Sequence, residues 1–257
     1  GGSTKKTFQY KDFSYNKYYN SALVFDKNGD YRGSYAKLHL VPFAEIIPFA
    51  DNPIAKEFIQ EYLNFSAGWT KGEYLTLFNI PCSWYNSPYD SEVKVFDLSL
   101  NEKIDKDLQE TPKVKVATPI CFDDAFTDVI RPLYYNGAEL FLNITDDSWS
   151  LKKSSEYQHF VVASYRAIEY RTTLARSTNS GYSVVIDPAG KILTDQPLFE
   201  QSYCIYDIPI FERQKTTFAV FGNWIIVVIL GFFIYSVCFD FKNRNLEVCI
   251  RPSKKIK

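Results

Sequence analysis

The sequence predicts an α/β fold with mixed sheets, followed by one C-terminal transmembrane helix. Three observations carry this expectation. Between residues 113 and 187, β-type runs alternate with runs of helical period, the order that layers helices on a sheet. Hairpin signals flank that stretch and add antiparallel strands, so the sheet is mixed. Residues 218–239, FAVFGNWIIVVILGFFIYSVCF, hold no charged side chain.

The elements follow in order. SALVFD (21–26) reads as a strand, and Asn28-Gly29 turns it into a second strand near Tyr31–Lys37. Residues 38–50 carry Pro42 and Pro48 and read as a loop. Residues 53–64 look helical. Residues 65–112 are polar, with one or two strands (73–78 and 92–98) and part of them an insertion. KVKVATPI (113–120) is a strand, and Asp124–Tyr135 a helix stopped by Asn136-Gly137. Glu139–Ile144 is almost continuously apolar, as a buried parallel strand is. A polar loop, 145–155, leads to a helix over Glu156–Tyr170. Strands are expected at 173–178, 182–187 and 202–206, with a turn at Asp187–Gly190.

A membrane core of about 30 Å needs about 20 apolar residues as a helix, and a core helix of that length would show a polar face. Residues 217–239 are therefore expected to span a membrane, with Trp224 and Tyr235 near its ends. Residues 240–257 carry six Lys/Arg against Asp240 and Glu247, a net charge of +4. Positive charge marks the cytoplasmic side, so residues 1–216 are expected outside the cytoplasm.

Composition narrows the function classes. A net charge of −1 over 257 residues makes no case for nucleic acid. The five cysteines are far apart and form no CxxC, and there are two histidines, so neither a disulfide framework nor a metal site is indicated. No cofactor is expected. The chain has no methionine and no signal peptide, and reads as a piece of a longer protein.

Chemistry concentrates around Cys121, where a strand gives way to an expected helix. Reactive groups in α/β sheets sit at strand carboxyl ends, and a helix N-terminus favours thiolate over thiol. The alternative is a buried structural cysteine. Its company decides between them. In YAKLHLVPFAE (35–45), Lys37 ends a strand and Glu45 lies beyond a proline-bearing loop. A lysine can stabilise a thiolate and then an oxyanion, and a carboxylate can shuttle protons. Read singly, Lys37 is better taken as a surface lysine and Glu45 as a solvated loop acid. Arg166, Glu169, Arg171 and Arg176 alternate in sign and read as a solvated salt-bridge network with a structural role. Asn143 and Asp147 are expected to shape the loop after their strand.

YAKLHLVPFAEIIPF, TPICFDDAF, LFLNITDDSW and QHFVVASYRAIEYRTTLARSTNSGYSVVIDPAGKI together resemble the nitrilase (carbon–nitrogen hydrolase) superfamily. Within it they are most similar to the apolipoprotein N-acyltransferase branch, over about residues 18–50 and 113–239. The resemblance implies an αββα sandwich and a Glu-Lys-Cys triad. Carried over, Lys37 is the triad lysine, Cys121 the nucleophile and Glu45 the second, supporting glutamate. The triad glutamate belongs to a WPE-like motif upstream of the lysine, yet no glutamate precedes Lys37. The chain is therefore expected to begin after the first catalytic residue and first strands, and to be inactive by itself.

The implied activity is acyl transfer from a phospholipid, through a cysteine thioester, to the amine of a diacylglyceryl-cysteine lipoprotein. The implied place is the bacterial inner membrane, catalytic domain on the periplasmic side. A nitrilase-type amidohydrolase and an inactive membrane-tethered domain are the alternatives. Two departures matter: the family's CYE is CFD, with Phe122 and Asp123, and its PFGE is PFAE, with Ala44. If position 44 needs φ > 0, alanine there costs roughly 1 kcal/mol. Asp123 and Phe122 are expected to support the site. Trp149 has two readings, a wall of the acyl site or a core or interface aromatic.

Overall fold

The computed structural model describes residues 2–10, 13–46, 68–81, 83–86, 94–97 and 113–250. The helix expected at 53–64 lies outside them. Chain contacts divide the protein into two units, residues 1–214 and 215–257.

In the first unit, β1 (Gly2–Tyr10) and β2 (Phe13–Phe25) form a long antiparallel hairpin. β2 then pairs with β3 (Tyr31–Ala36) around the expected turn at Asn28-Gly29. Gly29 sits at φ 82°, a conformation that suits glycine. The hairpin extends far upstream of the expected strand at 21–26. Its outer half alternates lysine, tyrosine and asparagine, which gives no apolar period to read.

A six-stranded mixed sheet forms the second layer, in the order β11-β10-β9-β8-β7-β4. Its strands are β4 (Leu77–Pro81), β7 (Lys113–Ala117), β8 (Leu140–Asp146), β9 (Thr173–Asn179), β10 (Val184–Ile186) and β11 (Ile192–Asp195). β7, β8 and β9 run parallel, while β4, β10 and β11 are antiparallel to their neighbours. The two sheets meet in one apolar cluster: Ala22 and Tyr35 from the first, Phe78 from the second, and Ile120 beyond β7. Each large apolar side chain fully buried in this way contributes roughly 1.5–3 kcal/mol.

α1 (Thr127–Tyr135) and α2 (Lys153–Tyr170) follow β7 and β8. α1 turns Val129, Ile130, Leu133 and Tyr134 inward. Phe141 of β8 meets Tyr170 of α2 edge to face, their centroids 6.2 Å apart. α2 starts three residues before the expected Glu156. α1 starts later than expected, because Cys121–Ala125 form a separate 3₁₀ turn.

The strand expected at 202–206 is absent; those residues lack regular structure. β12 (Ile208–Ile210) forms instead, pairing with β6 (Lys94–Asp97), which pairs with β5 (Ser83–Asn86). Ile210 is the reason: it plugs into a second core cluster with Val114, Leu140 and Val185.

In the second unit, α3 (Thr217–Phe221) is capped by Thr216, whose hydroxyl oxygen accepts the Ala219 N–H at 2.9 Å. Gly222, at φ 61°, separates it from α4 (Trp224–Ile250). The expected uninterrupted span is thus broken at its start, and α4 runs on into the basic segment. Trp224–Lys242 is 19 residues long and exposed, and by length and composition it can cross a membrane.

Candidate active site

The site is assembled from three chain segments. The first is the end of β3. The Lys37 backbone N–H donates to the Asn20 carbonyl of β2 at 2.8 Å, and its own carbonyl accepts the Gly72 N–H at 2.8 Å. Gly72 packs so closely that a Cβ there would lie 2.3 Å from the Ala36 carbonyl oxygen. These contacts bury the lysine, whose side chain is 1% exposed. A buried ammonium needs a counter-charge, and Lys37 Nζ donates to Glu45 Oε2 at 2.6 Å.

The second segment is the turn over Val41–Ile46, which holds Glu45. The same Oε2 accepts the Val41 N–H at 2.8 Å, and Oε1 accepts Asn20 Nδ2 at 3.0 Å. Glu45 is therefore fixed by a charge, a backbone amide and a side-chain amide. The residue with positive φ in this turn is Phe43, at 61°, not Ala44. The strain expected from alanine at position 44 is absent.

The third segment is the turn after β7. Cys121 has φ 49°, a left-handed conformation costing a non-glycine residue about 1–2 kcal/mol. Such strain persists only where the surroundings enforce it, and here three groups do. Ile120 bridges to Ile144 of β8. Asn143, fully buried on β8, donates Nδ2 to the carbonyls of Pro119 and Cys121 at 3.2 and 3.1 Å. Asp123, also fully buried, accepts Tyr35 Oη at 2.9 Å, the His39 N–H at 2.7 Å and the Ile120 N–H at 3.1 Å. Tyr35 and His39 flank Lys37, so one carboxylate ties the cysteine turn to the lysine strand.

Burial pushes the Cys121 thiol above its ordinary range. The Lys37 charge and a hydrogen bond with Thr145 oppose this without reversing it. The sequence led us to expect a thiolate at a helix N-terminus. The five-residue 3₁₀ turn and the desolvated setting favour the thiol instead. Burial likewise raises Asp123, with its three hydrogen bonds pulling the other way.

Behind the turn sits a charged quartet. Asp124 is fully buried. His159 of α2 faces it at 3.2 Å through Nε2 and faces Asp147 at 2.9 Å through Nδ1. Arg176 of β9 lies 3.7 Å from Asp124 and 3.8 Å from Asp147. Gly181 leaves room for this: a Cβ there would stand 2.5 Å from Asp147 Oδ2. Burial works against charge on His159, but the two aspartates outweigh it and hold its pKa up at about 9. Arg166 is also buried, paired with Glu169 at 2.9 Å. Arg166 and Arg176 are therefore not solvated, as their alternating signs suggested.

Lys37, Glu45 and Cys121 line one cavity of about 710 Å³, together with Thr145, Asp146 and Asn179. Phe122 is half-exposed beside it, its ring edge-on to Phe126 with centroids 5.0 Å apart. Trp149 lies on the turn after β8, 76% exposed. Among the described residues no group of three or more His, Cys, Asp or Glu is placed to hold a metal ion. Tyr35, Asn20 and Thr145 were not singled out from sequence. Tyr35 stands on β3 two residues before Lys37, which follows the strand's end, and that is the one signal it offered.

A strained cysteine after a parallel strand thus shares one cavity with a buried lysine–carboxylate pair, the residue types that covalent catalysis draws on. The chain belongs to the carbon-nitrogen hydrolase family, whose model matches residues 6–217. It is 42% identical over 221 residues to apolipoprotein N-acyltransferase 2 of Treponema denticola, covering 86% of this chain and 37% of that protein. The Treponema pallidum protein of the same name is 37% identical over 82% of this chain and 33% of its own length. The chain thus spans about a third of the length of these relatives. The crystal structure of Saccharomyces cerevisiae Nit3, of the nitrilase superfamily, aligns at 17% identity and a TM-score of 0.44, over 72% of this chain and 51% of that one.

Proposed function

We propose that residues 1–216 are the catalytic portion of an apolipoprotein N-acyltransferase, tethered by a membrane span over Trp224–Lys242 with the basic residues beyond it in the cytoplasm. The observation carrying this is the 42% identity to a protein of that name, in a chain that keeps Cys121, Lys37 and Glu45 around one cavity.

In this reading, Cys121 Sγ attacks the ester carbonyl of a phospholipid after its proton passes to a carboxylate base. The resemblance assigns that base to a glutamate upstream of this chain. Lys37 Nζ and the Phe122 N–H receive the oxyanion. Glu45 holds the lysine in place, because both its own oxygens are already engaged. The ester C–O bond breaks, the lysophospholipid leaves with the proton, and an acyl thioester remains. The free α-amine of a diacylglyceryl-cysteine lipoprotein then attacks it. An amide forms, the C–S bond breaks, and the amine proton returns to the thiol through the base. The exposed apolar helix suits this chemistry, since donor and acceptor are both lipids. Phe122 and Trp149 are placed in this reading on the acyl-chain side.

The test uses the full-length protein in detergent with a phospholipid labelled in its acyl chain. A hydroxylamine-sensitive acyl adduct is expected on the wild type and not on Cys121→Ala. An adduct that survives Cys121→Ala rejects the nucleophile, and ammonia release from small amides without any adduct rejects acyl transfer.

A further inference from the structure

Three charged side chains line the cavity among the described residues: Lys37, Glu45 and Asp146. The first two neutralise each other at 2.6 Å. The quartet behind the turn balances itself, two carboxylates against His159 and Arg176. Asp146 stands outside both groups. It is the last residue of β8, next to Thr145, which hydrogen-bonds the Cys121 thiol. Its Oδ1 accepts the Ser148 N–H at 3.0 Å and Asn179 Nδ2 at 3.2 Å. The Ser148 hydroxyl also bonds this carboxyl, more strongly than the other two, and none of these donors carries a charge. They hold the carboxyl below its ordinary range, so it stays ionised at neutral pH. The described lining of the cavity that opens on Cys121 therefore carries one net negative charge.

From this arrangement we infer that Asp146 is a docking point for a primary ammonium group on a substrate. An anion on a cavity whose described lining holds no other unbalanced charge disfavours anionic ligands and concentrates cationic ones. A charge-assisted N–H···O contact with an ammonium is directional and stronger than a neutral one. This inference rests on the acyltransferase reading, which offers two sources of an ammonium: the acceptor's α-amine, and the head group of an ethanolamine phospholipid donor. The contact holds the protonated amine, and attack needs the free amine. Asp146 therefore acts on binding rather than on the rate of the chemical step.

The experiment compares wild type with Asp146→Asn, full-length in detergent, with the two half-reactions measured apart. If the acceptor docks here, Asp146→Asn forms the Cys121 adduct at an unchanged rate from phosphatidylethanolamine and from phosphatidylglycerol. Its KM for a diacylglyceryl peptide then rises about tenfold, roughly 1.4 kcal/mol, with kcat within twofold. If the donor head group docks here, adduct formation slows with phosphatidylethanolamine alone. In the acceptor case, an amine-bearing peptide also inhibits wild type better than its N-acetylated form, and Asp146→Asn loses that difference. Unchanged KM together with unchanged donor preference overturns the inference while leaving the acyltransferase reading intact. Absence of an adduct on the wild type removes that reading first. A matching melting temperature shows that the variant folds.

Discussion

Asp123 and Asp124 are neighbours, both wholly buried, and the protein holds them in opposite ways. Asp123 faces the lysine strand and accepts three hydrogen bonds from neutral donors. Asp124 faces α2 and β9 and meets charges: His159 at 3.2 Å and Arg176 at 3.7 Å. Hydrogen bonds are directional and fix a geometry. The Arg176 pair at 3.7 Å is Coulombic and the His159 contact is a charge-assisted hydrogen bond; together they fix a charge balance, strong because the interior is poor in water. The turn that carries Cys121 is thus positioned from the front by geometry and clamped from the back by charge.

The largest expected effect breaks the clamp. Arg176→Met leaves Asp124 and Asp147 with only His159 between them. Removing one partner of a buried ionic group costs about 3–5 kcal/mol, since the desolvated partner stays behind. Chemical unfolding of the full-length protein should show a loss of that size. A loss under 1 kcal/mol would mean the charges contribute little, and that the front contacts alone hold the turn.

The second effect is on pH. The folded pKa of His159, about 9, lies above the ordinary 6.5. A cationic group with a raised pKa binds its proton more tightly in the folded state. Its contribution is complete below about pH 6.5 and is lost as pH rises through 9. A shift of this size corresponds to stability on the order of 3 kcal/mol. The Cys121 thiol, also raised, adds a loss of the same sign, so the comparison must be with His159→Gln. The variant should lose much of the wild-type decline between pH 6.5 and 9 in unfolding measurements. An identical pH profile in both would show that His159 does not carry the charge.

Residue patterns and residue surroundings were not equally legible. Lys37, Glu45 and Cys121 sit in local motifs whose spacing is visible along the chain, and the structure brings all three to one cavity. The parallel core β7-β8-β9 was legible through apolar runs and helix stops. The β1–β2 hairpin was not, because its register rests on backbone pairing among polar residues. Residues 202–206 were read as a strand on composition, yet Tyr203 and Ile205 are 88% and 89% exposed. The strand forms instead at Ile208–Ile210, where Ile210 enters the core cluster. Arg176 misled for a related reason. Alternating charge along a segment says nothing about which charges meet carboxylates from other elements.

The smallest effect sharpens the front side. Tyr35→Phe removes one donor from Asp123 and changes no volume in the core. Oδ2 keeps the Ile120 N–H and Oδ1 keeps the His39 N–H. A lost hydrogen bond to a buried acceptor that retains other partners costs about 1–2 kcal/mol. Melting should register that much. Adduct formation carries more information, because Tyr35 reaches the cysteine turn from the strand that ends in Lys37. If Asp123 is a geometric tie, Tyr35→Phe slows thioester formation severalfold at constant lipid affinity, and the pH profile of stability between 6.5 and 9 is unchanged. If the variant instead alters that profile, front and back are electrically coupled. The division between a geometric and a charged side would then have to be abandoned.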